Sequence, residues 1–261
     1  MPLVVCPTPI GNLEDVTLRV LDELRAADVV LCEDTRHTRV LLQRYEIAAD
    51  LVSYHEHNEA ARTRELLPRL VAGERMALVS DAGMPGISDP GARIVRAALD
   101  AGVPVTVLPG PSAVETALVA SGLGGGEFRF IGFLPRRSLD ELWPTLTSVT
   151  VAFESPQRLP AALRSLAAFD PAREIAVCRE LTKTFEEVVR GPASEVAARF
   201  AEPPKGEITL VIGAGERVTD EPAALAAVAE LVDAGVPRRR ASEIVASLTG
   251  VSRKRLYDGT L

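Results

Sequence analysis

Short apolar runs rich in β-branched residues alternate with longer amphipathic stretches, and this alternation constrains the fold more than any other feature of the chain. It is the pattern of an α/β protein with a largely parallel sheet. Strands are expected at residues 3–6, 29–33, 51–54, 76–80 and 103–108, with helices such as 17–27, 59–72 and 92–101 between them. Gly73 and Gly102 stand where helix C-termini favour glycine. From Pro111 the register changes. A helix at 112–121 precedes strands at 128–133, 149–153, 175–180, 186–190 and 208–212, with helices at 160–168 and 193–200. The later strands are spaced closely enough to form antiparallel hairpins in part. Pro109-Gly110-Pro111 marks a boundary, and after Gly215 the sequence turns alanine-rich and helical. The expected organisation is two α/β domains, 1–110 and 111–215, with a cleft between them, followed by a small helical unit at 216–261.

The length of 261 residues, with 47% hydrophobic side chains, suits two modest domains with real cores. Cys6, Cys32 and Cys178 lie far apart without a C-x-x-C, which suggests small core hydrophobes in a reducing compartment. The N-terminus lacks the basic segment and apolar stretch of a signal peptide, and nowhere do about 18 apolar residues run together, so a cytoplasmic protein is expected.

The net charge of −7 hides an asymmetry. Residues 236–261 carry six basic side chains (Arg238, Arg239, Arg240, Arg253, Lys254 and Arg255) against Glu243 and Asp258, a net of +4 that leaves −11 for the remainder. A helix ending near Leu248, a Thr249-Gly250 turn and a helix opening at Ser252 read as a helix-turn-helix unit. Its arginine run points to phosphate contact, while a solvated charged face packing a helix pair is the plainer alternative.

In open α/β sheets ligands bind beyond the carboxyl ends of the strands. The loops there are Thr8-Pro9-Ile10-Gly11-Asn12, Glu33-Asp34-Thr35-Arg36, Tyr54-His55-Glu56-His57-Asn58, the twelve residues from Ser80 to Gly91, and Pro109-Gly110-Pro111-Ser112-Ala113. Glycine and proline at this density hold backbone groups in fixed positions that suit close packing against a flat ligand. Neither G-x-x-x-x-G-K-[ST] nor a G-x-G-x-x-G after the first strand occurs, and no serine sits in a G-x-S-x-G elbow. His55 and His57 have no third ligand at a recognisable spacing, so no metal is expected. In the second half, Phe153-Glu154-Ser155-Pro156 and the segment 178–187 cap strands with polar turns. A solvated hairpin is the plainer reading; the sharper one is a second wall for the cleft, with Arg158, Arg179 and Lys183 there to offer phosphate contacts.

Together, Thr-Pro-Ile-Gly-Asn (8–12), Glu-Asp-Thr-Arg (33–36), Ser-Asp-Ala-Gly-Met-Pro-Gly-Ile-Ser-Asp-Pro-Gly (80–91), Pro-Gly-Pro-Ser-Ala (109–113), Phe-Glu-Ser-Pro (153–156) and Arg-Glu-Leu-Thr-Lys (179–183) closely resemble the ribosomal RNA 2′-O-methyltransferases of the tetrapyrrole methylase superfamily. The resemblance covers residues 3–215 in order. It implies a two-domain homodimer that binds S-adenosylmethionine between its domains and methylates the ribose 2′-hydroxyl of a cytidine in the decoding region of 16S ribosomal RNA, in the small subunit. Carried over by position, it implies cofactor contacts at Pro9, Ser80, Asp81, Ala82, Gly83, Met84, Ser112, Ala113, Phe153, Leu181 and Thr182. Superfamily members that act on tetrapyrroles have Gly-Asp-Pro where this chain has Ser80-Asp81-Ala82.

Methyl transfer to a hydroxyl is an in-line displacement that asks for alignment, water exclusion and removal of one proton. Glu33, Arg36, His55 and Lys183 are the candidate catalytic groups; the resemblance does not single out a base, and Glu33 and His55 also suit a structural hydrogen-bonding role. RNA contacts are expected at Arg158, Arg179 and the six basic residues of the terminal unit. With only 4% aromatic residues, shape and phosphates rather than base stacking should dominate RNA capture. A tetrapyrrole methyltransferase and a ligand-sensing nucleic-acid-binding regulator are the alternatives.

Overall fold

The computed structural model describes residues 2–215 and 221–260. Its first sheet holds β1 (Leu3–Val5), β2 (Val29–Cys32), β3 (Leu51–Ser53), β4 (Met76–Leu78) and β5 (Val105–Val107), in the order β3-β2-β4-β1-β5. Every pairing in it is parallel. Helices α1 (Leu18–Ala26), α2 (Thr35–Arg44), α3 (Glu59–Val71) and α4 (Ala92–Asp100) make the crossovers. A sheet covered on both faces demands strands that are apolar throughout, and Val29, Val30, Leu31 and Cys32 are all buried. The first face packs on Val20, Leu21 and Leu24 of α1 and Leu41 and Leu42 of α2; the second packs on Leu66 and Leu70 of α3 and Ile94 and Ala98 of α4.

Adjacent strands β1 and β4 send the chain in opposite directions, β1 toward β2 and β4 toward β5. Their following loops therefore diverge, which opens a crevice at the carboxyl edge of the sheet. Residues 33–36, read from sequence as a strand-end loop, are only half of one. Helix α2 opens at Thr35 because the Asp34 carboxylate accepts the Arg36 backbone N–H at 2.8 Å and caps it.

Helix α5 (Ala113–Ser121) leads into the second half, which contains β6 (Phe128–Phe133), α6 (Leu139–Leu142), β7 (Val149–Glu154), α7 (Leu159–Phe169), β8 (Glu174–Arg179), β9 (Glu187–Pro192), α8 (Ala193–Arg199) and β10 (Ile208–Ile212). The second sheet runs β6-β7-β10-β8-β9. Only β6 and β7 pair in parallel, and the β8–β9 hairpin is antiparallel. Strict alternation divides its residues. Ala152, Ile175, Val177 and Leu210 face α7 and α8, whereas Val151, Ala176, Cys178 and Val211 face α5. Ile10, from the loop after β1, joins this second cluster beside Val114 and Leu181, so the two halves share a core where the cleft lies.

Three further helices, α9 (Glu221–Asp233), α10 (Arg238–Thr249) and α11 (Arg253–Asp258), enclose a small core of Ala224, Val228, Ala241, Val245, Val251 and Leu256. The expected turn at Thr249-Gly250 is present, with Gly250 left-handed at φ 74°. The first five residues of the expected unit, 216–220, lie outside the described residues. All three cysteines are buried free thiols, and burial pushes Cys6 up to about 12 and Cys178 up to about 11. Among the described residues no helix is long and apolar enough to cross a membrane.

Candidate active site

The crevice between β1 and β4 is closed from above by the loops of the second sheet. The loop after β1 and the loop after β4 are tied together: Thr8 and Gly83 exchange backbone hydrogen bonds at 2.9 Å, and the Thr8 hydroxyl donates to the Ser80 carbonyl at 2.9 Å. Against them stand β7, the start of β10 and the turn after β8. Two cavities adjoin here and share Ile10, Ala82 and Glu207. The larger, of about 390 Å³, is walled by Ile10, Met84 and Phe153 and edged by Ser112 and Ala113 at the start of α5. The smaller, of about 240 Å³, contains Pro9, Gly11, Ser80, Asp81 and Lys183.

Of the positions implied by resemblance, Ala82, Gly83, Met84, Ser112, Ala113 and Phe153 line the larger cavity, and Pro9, Ser80, Asp81 and Ala82 line the smaller. Leu181 is buried in the core shared with Ile10, and the buried Thr182 hydroxyl has no hydrogen-bond partner. The turn carrying them is strained, with Glu180 at φ 52° and Thr182 at φ 65°. It meets Gly11 so closely that a Cβ there would lie 2.4 Å from Lys183 Cγ and 2.7 Å from the Leu181 carbonyl oxygen.

The four candidate catalytic residues are not assembled into one group. Arg36 points outward, its side chain 86% exposed, and holds the Asp34 carboxyl well below the usual carboxylate range by hydrogen bonding to it. Lys183 Nζ donates to Glu180 at 2.8 Å and Glu207 at 2.9 Å. Burial pulls its ammonium down, but these two carboxylates outweigh that and raise it, which leaves a proton donor. His55 lies outside both cavities, with Nε2 3.1 Å from Asn58 Nδ2 and a buried Nδ1 that has no partner. Glu33 is pushed up first by burial and then by Asp81, with His55 opposing.

Sequence reasoning passed over several residues that line the larger cavity: Ile10, Ile87, Asp89, Phe133, Glu154 and the stretch 206–209. Ile10, Ile87, Asp89 and Glu154 sit inside the quoted motifs, so their signal was present; Phe133 and 206–209 carry no motif. Phe133 is 59% exposed at the cavity, edge-on to Phe153 at 5.6 Å, an exposed ring that low aromatic content had argued against.

The basic residues fall into two sets. Arg158 turns inward, with Nε 2.7 Å from Glu154 Oε1 and a second nitrogen 2.9 Å from the Leu134 carbonyl. Arg179 likewise binds Glu187 at 3.0 Å and the Lys205 carbonyl at 3.2 Å. Both are committed within the fold, against the expectation of open phosphate contacts. On the terminal unit Arg239, Arg240 and Arg253 converge on Glu243 at 3.4–3.5 Å, Arg255 reaches Glu221 at 3.5 Å, and Arg238 lies over the Tyr257 ring. Arg238 is half-buried while Arg239, Arg240, Arg253 and Arg255 remain exposed, and Arg239, Arg253 and Lys254 border one surface hollow.

Comparison with known proteins places this geometry in context. Residues 2–197 match the family model for tetrapyrrole (corrin/porphyrin) methylases. Ribosomal RNA small subunit methyltransferase I of Mesorhizobium japonicum is 43% identical, over 98% of this chain and 90% of the relative. The protein of the same name from Thermotoga maritima is 45% identical over 82% of this chain and 99% of its own length, leaving about a fifth of this chain unmatched. A uroporphyrin-III C-methyltransferase from Thermus thermophilus, solved with S-adenosyl homocysteine, superposes with a TM-score of 0.58 at 21% identity, over 84% of this chain and 99% of that one.

Proposed function

Because the chain belongs to the tetrapyrrole methylase family, we propose that it is an S-adenosylmethionine-dependent methyltransferase acting on the ribose 2′-hydroxyl of a cytidine in 16S ribosomal RNA. The observation that carries this reading is the similarity, over nearly the whole chain, to proteins named as small-subunit ribosomal RNA methyltransferases. Two domains, 1–110 and 111–215, form the catalytic body, and 216–261 is a basic accessory unit.

The residues present fit S-adenosylmethionine. The walls of Ile10, Met84 and Phe153 suit a flat adenine, and Ser112, Ser155 and Thr209 add hydroxyl groups to the same lining. Ala82, Gly83 and Met84, with Ser112 and Ala113 opposite, would hold the cofactor from two sides. When bound, the cofactor supplies a methyl group activated by a sulfonium. The chain's own contribution is alignment and dryness. The Thr8–Gly83 bridge fixes the two loops against each other, the Gly11 contact brings the 180–183 turn down, and the apolar walls exclude water.

The terminal unit gathers phosphate through its exposed arginines and Lys254, in a cytoplasmic protein whose substrate is the small ribosomal subunit. A homodimer is supported by apolar side chains left open on β5, α5 and β6: Val107, Val119 and Phe128. The test is incubation with methyl-labelled cofactor and small subunits that lack the modification. Label on a cytidine ribose is expected; label on a base, or none, overturns the assignment.

A further inference from the structure

We propose that Asp89 is the group that takes the proton from the attacking 2′-hydroxyl. The inference rests on the methyltransferase reading above and adds the base that neither the sequence motifs nor the family resemblance singles out.

Three carboxylates line the larger cavity: Asp89, Glu154 and Glu207. Glu154 carries Arg158 and Glu207 carries Lys183. Asp89 has no ion-pair partner, so among the described residues it is the carboxylate of this cavity that is not committed to a cation. Its backbone is held rigidly. Ser88 before it is left-handed at φ 63°, Pro90 follows it, and Gly91, at φ 139°, lies where a Cβ would come 2.9 Å from Leu78 Cδ2. A non-glycine residue in that conformation beside a cleft is strain of the kind that positions a functional side chain.

The surroundings suit proton exchange. Burial, then the nearby Glu33 and Asp81, push the Asp89 carboxyl up to about 7, and a hydrogen bond from Ser80 opposes them. The charged groups around it are therefore Glu33 beyond β2 and Asp81 beyond β4, with Glu154 and Glu207 across the cavity; Asp34, His55 and Glu56 act on it through Glu33. The Ser80 hydroxyl also lies 3.0 Å from the Gly83 carbonyl oxygen. It lies 3.4 Å from the Ala82 carbonyl oxygen as well, so the hydroxyl beside Asp89 is anchored on the backbone of the same loop. The earlier candidates fit other roles: Lys183 is held protonated, Arg36 is bound to Asp34 at the surface, and Glu33 tunes its neighbour.

The step balances. The ribose O–H bond breaks and its proton goes to an Asp89 carboxylate oxygen. The oxygen's electron pair forms the bond to the methyl carbon while the carbon–sulfur bond breaks and leaves its pair on sulfur. A cationic sulfonium and an anionic carboxylate become a neutral thioether, a neutral ether and a carboxylic acid, which then loses its proton to water.

The test compares wild-type protein with Asp89→Asn and Glu33→Gln in single-turnover methylation of unmodified small subunits across pH. Cofactor affinity is measured separately by calorimetry with S-adenosyl homocysteine, and the free protein is titrated by carboxyl-carbon NMR. Asp89→Asn should lower the rate on the order of 10²–10⁴-fold with cofactor affinity within about threefold of wild type. The wild-type rate should rise with a midpoint near that of the Asp89 carboxyl resonance, and Glu33→Gln should move both midpoints downward together. Equal labelling by wild type and Asp89→Asn overturns the assignment of Asp89 alone, as does an Asp89→Asn defect matched by an equal loss of cofactor affinity. Absence of ribose labelling by wild type overturns the substrate reading itself, and this step falls with it.

Discussion

Gly11→Ala tests whether the two halves of the cleft close on each other as described. The added methyl carbon would lie 2.4 Å from Lys183 Cγ and 2.7 Å from both the Leu181 carbonyl oxygen and Thr182 Oγ1. Comfortable separations are about 3.5–4.0 Å, so roughly 1 Å must be opened at three points. The Lys183 stem can swing aside, but the Leu181 carbonyl is backbone, in a turn where Glu180 and Thr182 are already left-handed. Overpacking of this kind costs about 1–3 kcal/mol. If that strain is relieved by lifting the 180–183 turn off the cavity, cofactor affinity falls about 5- to 150-fold, at about 1.4 kcal/mol per tenfold. Calorimetry with S-adenosyl homocysteine, paired with thermal melting, reads both parts. Gly126→Ala is the control, because nothing lies within 4 Å of a Cβ there. Unchanged affinity and melting temperature in Gly11→Ala would refute the described contact.

Asp89→Asn should also change stability with pH. The folded carboxyl titrates near 7 rather than at its ordinary 3.8, so the folded state binds the proton more tightly. That contribution is fully present below about pH 4 and is lost as pH rises through 7. The variant should therefore match wild type at pH 4 and exceed it at pH 8 by about 1–2 kcal/mol, after discounting for partial exposure; a gain at pH 4 equal to that at pH 8 would contradict it. Glu154→Ala removes a carboxylate only 1% exposed and strands Arg158, itself 31% exposed, so urea denaturation should show a loss of about 2 kcal/mol. A loss under about 0.5 kcal/mol would show the pair to be idle. Deleting residues 216–261 should weaken RNA capture in filter binding more than it weakens cofactor binding. Equal losses would make the unit structural.

All ten strands among the described residues, and the helices between most of them, were legible because burial on one or both faces writes directly into apolar pattern. Helix α2 was harder to see. Its opening Thr-Arg-His-Thr-Arg is polar, and its buried stripe of Thr38, Leu41 and Leu42 is short. The cleft loops announced themselves through glycine and proline, which mark where backbone must approach closely, as Gly11 does. The special position of Asp89 depends on Glu33 arriving from the loop after β2 to meet Asp81 of its own loop, and no local pattern encodes that meeting. The ion pairs of Arg158 and Arg179 were hidden for a related reason: a sequence shows a cation but not the carboxylate that the fold brings to it, Glu154 for the one and Glu187 for the other.

The convergence of Arg239, Arg240 and Arg253 on Glu243 has a consequence for how RNA affinity should respond to salt. A phosphate that binds these arginines displaces a built-in counter-ion, one that does not exchange with the bulk electrolyte. Counter-ion release from the protein side is thus partly pre-empted. Full engagement of all six cations with a single strand would give a salt exponent of about −0.7 per contact, and competition from Glu243 should make the unit's exponent shallower. The same carboxylate keeps three like charges close together on one small core, so the basic surface is assembled before any RNA arrives.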